Sequence, residues 1–153
     1  MAQTKLFLGI YEPHINIFLS AGEEMGEMMD VELSTEVAET VVLADENSDY
    51  PYGWVTQDVT TTGVTQYGLN GLITRGCKVG NKVGVYVGGG VLKTDKVVGD
   101  VSAGDPLYVA SSGEGPGSTG GYVSAEPSSG DVIVGYAETD LDSDNIVRFK
   151  NLL

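Results

Sequence analysis

One cysteine, one histidine and one tryptophan stand among these 153 residues, and each scarcity closes off a chemistry. Cys77, being alone, cannot form an intramolecular disulfide. Its place between Gly76 and Lys78 in an apparent strand reads as a buried structural thiol. His14 follows Pro13 at the start of an apolar run, with no serine or cysteine motif beside it, so a histidine-based mechanism has no second member. One histidine and one cysteine cannot complete a tetrahedral metal set without several carboxylates. No stretch approaches the roughly 18 apolar residues of a membrane-spanning helix. The start, Met1 to Lys5, lacks the following apolar region and small-residue cleavage site of a secretory leader. The expectation is a soluble protein made in a cytoplasm.

Basic residues are scarce too: 8 against 22 acidic, for a net charge of −14. Residues 1–50 hold eleven acids and only Lys5, and the stretch from Glu23 to Asp49 carries ten acids with no lysine or arginine. Such a field repels phosphate backbones and anionic lipid, so neither nucleic acid nor membrane is an expected partner. An acidic, solvated face that maintains solubility is the plainer reading, and adaptation to a salt-rich host is a second cause that fits the same charge.

What the chain has in excess is glycine, 22 residues, about twice ordinary usage. Three turn-then-strand units organise its second half: Gly80-Asn81-Lys82-Val83-Gly84-Val85-Tyr86-Val87, Gly104-Asp105-Pro106-Leu107-Tyr108-Val109 and Gly130-Asp131-Val132-Ile133-Val134. Gly-Asn and Gly-Asp accept the backbone angles of tight turns, and the β-branched and aromatic residues that follow favour strands. The pattern predicts an all-β fold, a small antiparallel β-barrel or sandwich built from hairpins, with an extended N-terminal arm. Residues 1–50 form the arm and acidic segment, or part of the same domain; residues 51–153 form the β-barrel domain.

Along the first part, Lys5–Ile10 and His14–Leu19 are apolar runs divided by Glu12-Pro13, where a backbone donor is missing. Ser20–Met29 contains two glycines and fits a short helix or an ordered acidic loop. Val37–Ala44 is strand-like, Asp45–Tyr52 turn-rich, and Trp54–Thr62 strand-like. Gly71–Val79 adds a strand and Asn145–Phe149 the closing one. Ser111–Gly121 reads as a mobile hairpin tip or extended loop. Asn151-Leu152-Leu153 either tucks against a neighbour or frays.

No motif supplies an active site. Asp140, Asp142 and Asp144 alternate as an oxygen-only cation loop would, but Asn145 and Asn151 stand where an EF-hand needs glycine and glutamate. Asp45–Asp49 fails likewise at Tyr50. Both read as acidic turns whose side chains bond nearby amides. Gly84–Gly90 lacks the Gly-Lys-Ser/Thr ending of a phosphate loop. Glu23, Glu24 and Glu27 face no second acid that would make a glycosidase pair. An enzyme is not expected, and no cofactor or metal is.

Several segments together carry a family likeness: Gly53-Trp54-Val55-Thr56-Gln57-Asp58-Val59-Thr60, Lys78–Val85, Val101–Val109, and Val134-Gly135-Tyr136-Ala137 followed by Ile146–Phe149. Residues 53–150 thereby resemble the capsid decoration, or structural cement, proteins of tailed bacteriophages; the first 50 residues have no counterpart. The resemblance implies a virion protein on the capsid exterior, a homotrimer whose partner is the major capsid protein of an expanded shell, bridging capsomers against internal DNA pressure. Lys5–Leu19 is then either a lattice-binding arm or an edge strand of the barrel, with Phe7, Leu8, Ile10, Ile15, Ile17 and Phe18 driving either docking. Trp54 joins them as a core or interface aromatic. Two other classes fit the same features: a tail-tube, spike or head-fibre component, and a carbohydrate-binding module in which Trp54, Tyr50 and Tyr52 stack on sugar.

Overall fold

The computed structural model describes residues 16–67, 72–75, 77–127 and 132–153. These form an all-β protein of fifteen short strands and one 3-10 turn, Pro116–Ser118. Five strands close a barrel: β1 (Asn16–Ala21), β2 (Asp30–Leu33), β3 (Thr40–Leu43), β4 (Pro51–Val55) and β9 (Lys82–Tyr86), in the order β1-β3-β2-β4-β9. Two small pairs lie in the segment between β4 and β9: β5 (Val59–Thr60) with β8 (Cys77–Lys78), and β6 (Val64–Tyr67) with β7 (Leu72–Arg75). The remaining strands make one six-stranded sheet. They are β10 (Val91–Thr94), β11 (Val97–Val98), β12 (Pro106–Val109), β13 (Val123–Ser124), β14 (Ile133–Ala137) and β15 (Val147–Asn151), ordered β10-β15-β14-β12-β13-β11.

Two of the anticipated glycine turns start strands as expected. Gly80 and Gly104 hold φ of +90° and +92°, a region open to glycine without penalty, and β9 and β12 begin two residues later. Gly130 and Asp131 lie outside the described residues, but β14 follows them. Of these strands, β12 forms a hairpin with β13 and β14 with β15, as expected, whereas β9 pairs with strands distant in sequence. β9 bonds to β1 and β4, and β12 to β13 and β14. The pairing is not purely antiparallel: β1 with β3, β5 with β8 and β11 with β13 run parallel. Residues 16–50 supply three of the five barrel strands.

Two apolar cores result. Val31, Val41, Val55, Val83 and Val85 fill the barrel, joined by Met25, Met29 and Cys77. Leu107, Val109, Val134, Val147 and Phe149 line the inner face of the sheet, joined by Trp54 and Ala44 from the barrel side. Trp54 and Val55 are adjacent on β4 and enter different cores, as strand alternation requires. β4 is thus the wall that the two halves share.

Two local expectations are revised and two are borne out in one of their alternatives. Ser20–Met29 takes the loop form rather than the helix; after β1 it is an irregular loop pinned by a bridge between Met25 and Val59. Trp54–Thr62 is broken into β4 and β5: the β4–β9 ladder ends at Thr56, whose amide and hydroxyl both bond the carbonyl of Gly84, and Val59–Thr60 pairs instead with β8. Pro51 and Tyr52 belong to β4 rather than to a turn; proline is tolerated there as the first residue of the strand. Ser111–Gly121 lies in the connection of the antiparallel β12–β13 hairpin, as expected, and is packed rather than free-standing: Gly115 and Gly121 are buried, and the Gly121 amide bonds the carbonyl of Ala44 at 2.7 Å.

Candidate functional site

The seam between barrel and sheet holds the most constrained side chains. Trp54 is fully buried, its ring centroid 5.0 Å from that of Phe149 with the planes tilted by 56°. Its indole Nε1 donates to Asn151 Oδ1 at 2.8 Å. Asn151 is buried as well, and its amide donates to the carbonyls of Gly89 and Leu153 at 3.2 and 3.0 Å. Leu153 in turn accepts from the amides of Gly88 and Gly89. The chain end is therefore tucked against the segment that leads from β9 to β10.

A bulge decides where the nearby aromatics point. The β2–β4 register shifts between Val31 and Glu32, which pair with Gly53 and Pro51. Tyr52 is the extra residue, and such an insertion breaks the period of two. Tyr52 therefore packs on the barrel core while Trp54 enters the other, and Tyr50 stands 86 % exposed. The three do not form a common stacking plane, so the sugar platform imagined for them is not present. Trp54 is likewise a core residue rather than an outer contact. Gly53 is required where β4 passes β9, since a Cβ there would sit 2.5 Å from the Tyr86 carbonyl oxygen.

The apolar N-terminal set divides. Phe7, Leu8, Ile10 and Ile15 lie outside the described residues, as does His14. Ile17 and Phe18 are in β1, which pairs with β9 along Asn16–Ser20 and with β3 at its end. They therefore belong to the barrel rather than to a free arm, paired with β9 alone at these two positions because β3 joins only at Ser20 and Ala21. Leu19 and Ala21 pack in the barrel core, whereas Phe18 projects outward, 66 % exposed.

Asp30, which sequence reasoning did not single out among ten neighbouring acids, is the most unusual titratable group. It is wholly buried, opposite Trp54 in the β2–β4 ladder, and neither carboxyl oxygen has a hydrogen-bond partner. Burial pushes its pKa well above the ordinary carboxyl value; the nearby Val31 amide opposes the shift without making a well-formed hydrogen bond, and the charge of Glu32 adds to it. Its backbone is fixed, the amide donating to Gly121 and the carbonyl accepting from Ala44.

The other chemistry-bearing groups are engaged structurally. Asp142 Oδ1 accepts from the amides of Asp144 and Ile146, Asp140 Oδ1 from that of Ala103, and Asp45 Oδ1 from that of Asn47. These are the amide-bonding turns expected of both loops. Glu46 accepts from the Ser112 amide at 2.7 Å, which lowers its pKa. Cys77 is buried, and desolvation raises its thiol. Among the described residues, no three of His, Cys, Asp and Glu are grouped to hold a metal ion, and no helix is long and apolar enough to cross a membrane. An open cleft of about 340 Å³ lies between Glu27, Met28 and Asp58 on one side and Lys93–Lys96 with Ile146 on the other. No family model matches the sequence, and no curated protein matches it.

Proposed function

We propose that this protein is a non-enzymatic virion structural protein that binds the outer surface of an expanded phage capsid as a homotrimer and stabilises it by bridging capsomers. The observation that carries the proposal is Phe18: a large apolar side chain, 66 % exposed, presented outward from a barrel strand that is held at this position by its antiparallel pairing with β9. It directly continues the apolar run of Phe7, Leu8, Ile10 and Ile15. A fixed apolar anchor joined to an apolar leading segment suits docking on a regular protein surface. The likeness of residues 53–150 to capsid decoration proteins supports the same reading. Many modest contacts, repeated over one rigid lattice, add up to firm retention.

Co-sedimentation with expanded and unexpanded heads of the phage that encodes the protein tests this. Saturable binding to expanded heads alone is expected, lost on deletion of residues 1–15 and weakened by Phe18→Ser. Deletion stops at residue 15 because Asn16 begins β1. Absence of binding to either form would overturn the proposal in favour of a tail or fibre component.

A further inference from the structure

The outer face of the six-stranded sheet gathers what the rest of the surface is short of. Alternation along β15 turns Val147, Phe149 and Asn151 inward and leaves Arg148 and Lys150 outside, with Leu152 exposed just beyond. The register sets Lys150 between Val91 of β10 and Tyr136 of β14, and Arg148 beside Lys93. Val91, Tyr136 and Leu152 are 50, 44 and 50 % exposed. Three of the protein's eight basic residues thus share one sheet face with three large exposed apolar side chains. Arg148 pairs with Glu138 at 3.0 Å. Among the described residues neither Lys93 nor Lys150 has an ion pair. Asp140 and Asp142 line a shallow hollow beside Lys93 and Arg148; one oxygen of each accepts from amides, and their negative charge bounds the basic face on that side.

A surface of opposite chemistry caps the barrel. The turn between β2 and β3 exposes Val37 at 58 %, with Leu33 at 46 % at its base, flanked by exposed Glu36 and Glu39. Glu39 lies 3.6 Å from Lys82 in a well-exposed pair, a contact of small worth. Asp30, at the other end of β2, lies at the seam against Trp54. Three residues of strand carry the tip about 10 Å beyond it.

We propose that a second copy of this chain docks its β2–β3 tip on this sheet face, Leu33 and Val37 against Val91 and Tyr136, with Glu36 and Glu39 toward Lys93 and Lys150. The apolar pairs form the centre and the charges the rim of the contact, as in protein interfaces generally. Charge selects the site. On a molecule of net charge −14, most approaches set acid against acid, whereas this face offers Lys93 and Lys150, neither in an ion pair among the described residues. Repulsion between the net charges is screened beyond about 8 Å at physiological salt. The contact joins two different patches, so each copy both gives a tip and receives one, and successive copies close a ring if the rotation permits. The inference goes beyond shell binding, because it concerns purified protein and needs no capsid.

Sedimentation velocity of the full chain reads it. The wild type is expected to associate, and Lys93→Glu with Lys150→Glu to weaken association about tenfold or more. Glu36→Lys with Glu39→Lys is expected to do the same. A chain carrying all four reversals regains association, which a folding defect could not produce. Val37→Ser, at an exposed tip, weakens it without altering charge. A monomeric wild type, an oligomer indifferent to both reversals, or no recovery in the fourfold variant would each overturn the inference. Head co-sedimentation is read separately: failure of the charge reversals leaves shell binding standing, whereas a monomeric wild type would also remove the homotrimer from the proposed function.

Discussion

A carboxyl without hydrogen-bond partners inside a protein is tolerated far better as the neutral acid than as the anion. Asp30 is in that position, with both oxygens unpartnered and Glu32 as the charged neighbour acting on it. Its folded-state pKa is raised, so its contribution to stability is fully present below the unfolded value of about 3.9. Above that, the unfolded chain releases the proton first, and stability falls as pH rises toward the folded value. Asp30→Asn is therefore expected to melt higher than wild type at pH 8, with the difference vanishing near pH 4. Thermal melts across that range check it, and parallel curves at all pH values would show that Asp30 does not titrate as described. Nothing in the sequence marked this residue. Among ten acids between Glu23 and Asp49 it looks like one more solvated charge, and only the pairing of β2 with β4 turns it inward.

Strands β4 and β15 are separated by most of the barrel and sheet sequence, yet one hydrogen bond and one aromatic contact tie them. Trp54→Phe keeps most of the ring and loses the bond to Asn151, an expected cost of about 1–2 kcal/mol. Trp54→Ala is expected to cost roughly 3–5 kcal/mol. Urea denaturation of Trp54→Phe, Asn151→Ala and the double variant should give a coupling of at least about 0.5 kcal/mol; strict additivity would mean that the two strands are not joined through this bond. The starts of β9 and β12 were legible because Gly80 and Gly104 carry turn geometry in their own residue type. The ending of β4 was not, because the β4–β9 ladder closes at Thr56, whose hydroxyl joins its amide on the carbonyl of Gly84 in the neighbouring strand, a partner that no local pattern reveals. The bulge at Tyr52 is likewise a property of pairing with β2, and it dismantled an aromatic cluster that alternation alone would have put on one face.

At the scale of the whole molecule, the strand-rich composition and punctuating glycines made the all-β class readable, while the division into two cores was not. Core membership depends on which strands meet, and β1, β3 and β9 meet across long stretches of chain. The candidate contact surfaces follow the same rule. Phe18 could be named from the sequence as apolar. The face shared by Val91, Tyr136, Lys93 and Lys150 exists only because β10, β15 and β14 lie side by side. These outward surfaces on a doubly cored β-body are what a mechanical role would use. That role is tested most directly by heating DNA-filled heads stripped of this protein, with and without purified protein added back, and recording the temperature at which DNA escapes. Retention to a higher temperature, saturating with added protein and absent for the chain lacking residues 1–15, is the predicted result. Release at the same temperature despite bound protein would contradict it.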